Sequence, residues 1–394
     1  MRILLVNKFY YLRGGDCSVV LNTEQLLRDK GHEVAVFSMQ KPENIPSQWE
    51  KYFPKEVSFS FSNISGIIPA ITRLFNSREV VSKFRQLLAD FQPDVVHLHN
   101  IHSYISPAVA RMAHEKGIRV VWTLHDYKLI CPSYSCLRND KPCEVCFYKK
   151  INVVRFRCMK DSFVASMLAY IEARYWNLKK LSRLTDLFIS PSRFLKTKMI
   201  EAGLTPAQIV ELPNFIPQSI VASCKKENYY CYVGRLSEEK GVEVLLTAAS
   251  QLPFHLKIIG EGLLLERYKK AYAKPQIEFC GFISPEELYP IVSKARFLVL
   301  PSVCYENNPL SVVEALCLGT PVLGARIGGI PELIEEGANG FLFQPGNSSD
   351  LTRKIEESFR YFTTDYPYKI ISSDAQNKFG SATFYNKLIN FYER

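Results

Sequence analysis

The chain has 394 residues, 47% of them hydrophobic and 22% charged, an ordinary globular composition with enough apolar material for two full cores. No run reaches the roughly 18 uninterrupted apolar residues of a membrane span. The net charge is +10, and residues 141–200 alone carry 13 Lys/Arg against 4 Asp/Glu. That local surplus predicts an anionic partner: a membrane face, a charged lipid-linked substrate or nucleic acid.

The N-terminal apolar run is short and carries Lys8, so it reads as a first strand and not as a signal peptide. A cytoplasmic protein is expected. Residues 2–7 form that strand, and a loop containing Gly14 and Gly15 leads into a helix over 16–30. Gly31 ends the helix and a second strand covers 33–39. Further strands are predicted at 95–98, 119–123 and 187–189, with helices at 80–91, 107–116 and 163–182 between them. The rhythm restarts at 229–233, where a glycine loop and a helix at 242–251 follow the strand. Strands at 256–259, 277–279, 297–300 and 322–325 come next. Two successive βα arrays imply an α/β chain with two Rossmann-like, doubly wound domains. The join falls in 212–226, which holds two prolines and little periodicity.

Several positions suggest chemistry. Glu306 and Glu314 are eight apart, astride a helix start marked by Pro309 and ended by Gly319. A helix N-terminus offers backbone N–H groups and partial positive charge to a phosphate. Alone, the two acids read equally well as solvated helix carboxylates. Arg235 and Lys240 lie in the loop Gly234–Gly241 after the strand at 229–233, where Arg grips a phosphate with two N–H groups and Lys acts as a point charge. A solvated loop is the alternative, because Glu238 and Glu239 lie between them. Gly14 and Gly15 permit positive φ or a close approach of backbone. His125 ends the strand at 119–123, and His97, His99 and His102 crowd the end of another; acceptor contact and a core or capping role stand equally for these three.

Beyond Glu314 the chain continues Gly319-Thr320-Pro321-Val322, then Gly328-Gly329-Ile330-Pro331-Glu332, then Asn339-Gly340-Phe341-Leu342. With Gly234-Arg235 and Lys240-Gly241 upstream, this ordered set resembles family 4 of the retaining glycosyltransferases, over essentially the whole chain and most weakly between Glu43 and Phe91. The resemblance implies the GT-B fold, with two Rossmann-like domains facing across a cleft: an acceptor domain at 1–212, a nucleotide-sugar donor domain at 225–374, and a helix at 375–394 packing back on the first. It implies transfer of a hexose-type sugar from a UDP- or GDP-linked donor to an acceptor hydroxyl, with retention. The acceptor would be a saccharide, often lipid-linked, in cell-surface polysaccharide or glycolipid synthesis. Glu306 would contact the transferred sugar and Glu314 the ribose. Arg235, Lys240 and the N–H groups of Leu310 and Ser311 would face the diphosphate. Gly281 would lie next to the base, Gly14 and Gly15 against the diphosphate, and His125 near the sugar's 6-position. No D-x-D metal motif is evident, and no cofactor is expected for catalysis. The rivals are a nucleotide-sugar epimerase on the same fold and a catalytically silent binding partner of a transferase. Nucleic-acid binding is not expected, since no recognition motif accompanies the basic segment.

Two features stand apart from that signature. Five cysteines fall within a basic insertion at about 131–160, with Cys143 and Cys146 at the C-x2-C spacing used for zinc. Cys131 and Cys158 complete a structural zinc site in this reading, and Cys136 could replace either. Unrelated reduced thiols or a redox pair are the alternatives. The segment 163–182 is aromatic-rich and ends in Lys179-Lys180, which fits a helix lying on an anionic bilayer at the inner face of the plasma membrane as well as it fits a core helix.

Overall fold

The computed structural model describes residues 1–57, 71–217 and 225–393. Part of the predicted join, residues 218–224 with Cys224, lies outside them. The chain forms two compact units. One comprises Met1–Cys136, Cys143–Leu212 and Tyr385–Arg394, the other Leu137–Pro142 and Pro213–Phe384.

Up to Leu212 the strands are β1 (Arg2–Val6), β2 (Glu33–Phe37), β3 (Val95–Leu98), β4 (Arg119–Thr123), the two-residue pieces β5 (Leu137–Arg138) and β6 (Lys141–Pro142), β7 (Leu187–Ser190) and β8 (Ile209–Glu211). All but β5 and β6 join one sheet in the order β2-β1-β3-β4-β7-β8, every pair parallel. β5 and β6 pair with each other, antiparallel. Strands such as LLV in β1 and VVHL in β3 are buried along their length, as a parallel sheet covered on both faces requires.

The second unit repeats the plan. Its strands are β9 (Tyr229–Val233), β10 (His255–Ile259), β11 (Ile277–Gly281), β12 (Leu298–Leu300), β13 (Val322–Ala325) and β14 (Gly340–Phe343). Their order is β11-β10-β9-β12-β13-β14, again all parallel. The expected pair of doubly wound, Rossmann-like domains is present. In each sheet the strand order reverses once, between β1 and β3 in the first and between β9 and β12 in the second. Open α/β sheets take their ligands just beyond the carboxyl ends of the strands at such a reversal.

Two predicted helices are each divided. The segment 163–182 makes one helix at Phe163–Tyr175 and another at Leu178–Arg183. Asn177 breaks it because its Oδ1 accepts from Lys180 N–H at 3.0 Å and caps the second helix. The segment 375–394 contributes to two helices, Tyr368–Phe379 and Ser381–Glu393. They part at Gly380, which adopts extended backbone (φ −71°, ψ 154°) and pairs with Ile216, whose N–H donates to Phe379 O at 3.0 Å.

Candidate active site

In the second unit, β9 and β12 deliver two loops side by side. Lys240 ends a single turn of 3-10 helix, Glu238–Lys240, and Glu306 follows β12 by six residues. Val303 N–H donates to Glu239 O at 3.1 Å and ties the loops together. Gly241, in the left-handed region at φ 65°, lets them touch: a Cβ there would lie 2.0 Å from Pro301 O. Gly328 does the same on the other side, where a Cβ would lie 2.4 Å from Glu306 O. Gly329 N–H donates to that same carbonyl at 2.7 Å, so the Gly-Gly motif holds the Glu306 backbone.

Lys240 Nζ reaches Glu306 Oε1 at 2.6 Å, and Ser302 Oγ donates to the same oxygen at 2.6 Å. Burial pushes the Glu306 carboxyl up, but the Lys240 charge and these hydrogen bonds outweigh it and hold the group below the usual carboxylate range. Burial likewise opposes the Lys240 charge, and Glu306 more than restores it. The resemblance assigned these two residues to different parts of a donor; the structure makes them one ion pair. Ser302 is a site residue that the sequence reading missed. Its position four residues before Glu306, at a strand end, was the available signal. Arg235 is different: its side chain is 74% exposed, its nearest carboxylate is Glu239 at 3.5 Å, and its charge still acts on Glu306.

The helix after Glu306 runs Leu310–Cys317, with Pro309 as N-cap and not as the first helical residue. No side chain caps it, so the N–H groups of Leu310 and Ser311 stand at an N-terminus open to other acceptors. Glu314 lies on its second turn. Burial lifts that carboxyl to about 7, against a hydrogen bond with Tyr289 that pulls it down. Gly281 closes β11 at φ 70° with open space where a Cβ would stand, and Phe282 beside it is exposed.

The first unit gathers a second set at its own strand reversal. Asn7, after β1, accepts from Asn100 N–H at 3.2 Å, and Lys8 N–H donates to Asn100 O at 3.0 Å. Asn100 Nδ2 holds Asp16 Oδ2 at 2.5 Å. His125, two residues beyond β4, meets His99 ring to ring, Nε2 to Nδ1, at 2.9 Å. Burial draws the His125 imidazole down to about 4, with the Asp16 charge opposing and the Lys8 charge assisting. Gly14 and Gly15 do lead into the helix Gly15–Asp29, but Gly14 is extended at φ −177°, so the positive φ expected of this loop is not used. His97 is structural: its ring nitrogens bond Tyr392 Oη at 2.6 Å and Thr123 Oγ1 at 2.7 Å. His102 stacks on Trp122 at 5.1 Å.

Of the cysteines offered for a zinc site, Cys131, Cys143, Cys146 and Cys158 with Cys136 able to replace Cys131 or Cys158, the fold brings Cys131, Cys136 and Cys146 together. Cys131 exchanges hydrogen bonds with Cys136 and Cys146, and Cys158 acts on Cys146 from close by. The backbone N–H of Cys143 donates to Cys136 O at 2.7 Å. Cys136 itself sits in the left-handed region at φ 48°. Among the described residues no group of three or more His, Cys, Asp or Glu side chains is arranged to hold a metal ion. The helix Phe163–Tyr175 buries Ser166, Ala169 and Glu172 and exposes Phe163, Val164, Ile171 and Tyr175. Glu172 pairs with Lys128 at 2.9 Å, anchoring this helix to the loop that carries His125.

Known proteins share this organisation. Residues 13–219 match the family model described as Glycosyltransferase Family 4, and residues 218–360 match Glycosyl transferases group 1. An uncharacterized 42.6 kDa protein in the cps region of Klebsiella pneumoniae is 28% identical over 84% of this chain and 87% of its own. The amylovoran biosynthesis glycosyltransferase AmsK of Erwinia amylovora is 35% identical over 30% of this chain and 33% of its own. The crystal structure of Anabaena Alr3699/HepE in complex with UDP-glucose superposes with a TM-score of 0.66 at 19% identity, covering 100% of this chain and 99% of that one, which shows a common GT-B fold. With one family model spanning over half its length and the other most of the rest, the chain belongs to glycosyltransferase family 4.

Proposed function

We propose that this glycosyltransferase is a retaining, metal-independent hexosyltransferase, moving a hexose-type sugar from a UDP- or GDP-linked donor onto a hydroxyl of a saccharide or lipid-linked acceptor in cell-surface polysaccharide or glycolipid synthesis. The observation that carries this reading is the ion pair of Lys240 and Glu306 at the reversal of the second sheet, beside the uncapped helix end at Leu310. A half-buried cation and an open helix N-terminus together can stabilise the charge that develops on a leaving diphosphate, which is the electrostatic task a metal would otherwise perform. In this reading Arg235 joins Lys240 on the diphosphate, Gly14 and Gly15 approach it, and Glu314 receives the ribose hydroxyls. Gly281 adjoins the base, and Glu306 and His125 meet the transferred sugar. The departing phosphate oxygen takes the acceptor's proton, so no protein nucleophile is required.

Similarity to AmsK, named for amylovoran biosynthesis, supports a polysaccharide role. The exposed apolar residues Tyr148, Ile151, Phe163 and Val164, set in the basic stretch, support work on an anionic membrane at its cytoplasmic face. The test is donor hydrolysis and thermal shift across a panel of nucleotide sugars, with and without chelator. One donor hydrolysed and stabilising, undiminished by chelator, is expected. No response from any nucleotide sugar would reject the reading, and loss of turnover on chelation would reject its metal-free part.

A further inference from the structure

His99 is a buried titratable group to which the transfer reaction gives no task. It directly follows β3. Its N–H donates to Val6 O at 2.9 Å and its carbonyl accepts from Trp122 Nε1 at 2.8 Å, so the sheet holds it from both sides. The residue is 1% exposed. Its ring centroid lies 5.2 Å from that of His125 at 26° between planes, and its Nδ1 faces His125 Nε2 at 2.9 Å. Its other nitrogen, Nε2, is buried and has no hydrogen-bond partner.

A neutral imidazole has one N–H and one lone pair. Burial keeps both rings neutral at physiological pH, holding His99 well below the usual range and His125 at about 4. One proton therefore lies between the two rings, on one nitrogen or the other. Placed on His125 Nε2, it forces the His99 proton onto His99 Nε2, leaving a buried donor with no acceptor at a cost of about 1–3 kcal/mol. Placed on His99 Nδ1, it leaves only a bare lone pair at Nε2, and interiors tolerate an underused acceptor better than an orphaned N–H. His97 does not disturb this choice, since both its nitrogens face hydroxyls that either give or accept a proton.

We propose that His99 is a positioning residue that donates its Nδ1–H to His125 Nε2 and so fixes His125 as the Nδ1–H tautomer. The N–H of His125 then stands on Nδ1, and whatever group faces that atom must accept a hydrogen bond. His125 acts as a neutral donor and not as a base. For the reaction this rests on the reading that His125 meets the transferred sugar, where it would select an oxygen that accepts.

Long-range proton–nitrogen correlation spectra of the full chain, labelled with 15N-histidine at neutral pH, test this directly. His125 is assigned by the signals lost in His125→Gln. The expected result is a pyrrole-type Nδ1 and an imine-type Nε2 for His125; the opposite pattern overturns the proposal. His99→Asn keeps an N–H donor at this position and is expected to preserve both the pattern and most of the turnover. His99→Phe removes the donor. It is expected to lower kcat about tenfold, the worth of one hydrogen bond, with KM little changed, because His125 is no longer held by a donor. Turnover by folded His99→Phe equal to that of the native chain overturns the proposal. If that variant does not fold, the wild-type and His99→Asn spectra decide. The expected tautomer in a protein that turns over no nucleotide sugar would sink the transferase reading and leave this one standing.

Discussion

Lys240 Nζ and Ser302 Oγ converge on one carboxylate oxygen, Glu306 Oε1, each at 2.6 Å. The pair of Lys240 and Glu306 is largely withdrawn from solvent, with side chains 21% and 12% exposed. Breaking such a pair leaves the surviving partner short of its counter-charge. Lys240→Ala is therefore expected to lower kcat by on the order of 10²–10³, the loss seen when one preorganised donor to a developing negative charge is removed. Because the two residues act as one unit, Glu306→Gln should cost less in the Lys240→Ala background than in the native enzyme. Donor hydrolysis by the two single variants and the double variant supplies the measurement. Near-native turnover in Lys240→Ala, or strict additivity, would contradict the arrangement.

Glu314 makes a pH prediction. Burial lifts its carboxyl from 4.5 to about 7, so the folded chain holds this proton more tightly than the unfolded chain does. That contribution to stability is complete below pH 4.5 and is lost as the pH rises through 7. Donor affinity should move the opposite way, because ribose hydroxyls donate best to the ionised carboxylate. Titration calorimetry across this interval should show tighter donor binding at the higher pH, and Glu314→Gln should flatten both profiles. A donor affinity unchanged across the interval in the native enzyme would argue against the ribose role.

The two βα arrays were legible because buried parallel strands read as short apolar runs, as in β1 and β9. The edge strands β8 and β14 were not, since Glu211 ends the first and Gly340 opens the second, which shortens their apolar runs. Glu306, Lys240 and Glu314 could be found because glycines and a proline mark the turns that place them. The pairing of Lys240 with Glu306 could not, since it depends on how closely the loops after β9 and β12 approach. His99 was named among three histidines without a means to separate them. Strand parity puts His97 and His99 on one side, and only the tertiary partners, two hydroxyls for His97 and an imidazole for His99, tell them apart.

The approach of those two loops yields a stability prediction. Gly241 holds φ 65°, and an added Cβ would meet a backbone oxygen at 2.0 Å, an atom that cannot swing aside. Gly241→Ala combines left-handed strain with that clash, and a loss of about 2 kcal/mol or more is expected. Urea unfolding should show a lower midpoint. Any folded fraction should also show weakened turnover, because moving Pro301 moves the loop that carries Glu306. A variant as stable as the native chain would mean that the loops are not packed as described.

The surface around the cysteine segment leads to the last prediction. Eight large apolar side chains between Tyr134 and Tyr175 are exposed, Tyr148 most of all at 80%. Scattered single apolar residues need no explanation, but this many within one basic stretch combine the two attractions that hold a protein on an anionic bilayer. Electrostatic attraction brings the lysines and arginines to the headgroups and fades with salt, while the aromatic and aliphatic side chains enter the interface and do not. Sedimentation with vesicles should therefore show binding to anionic lipid that falls as salt rises, and much weaker binding to neutral lipid. Phe163→Ser with Val164→Ser removes apolar area from the exposed start of a helix whose buried face is Ser166, Ala169 and Glu172, so the fold should persist. That double variant should bind anionic vesicles less at every salt concentration while retaining the salt dependence. Equal partitioning of the native chain onto neutral and anionic vesicles would remove the electrostatic part, and unaltered binding of the double variant would remove the apolar part.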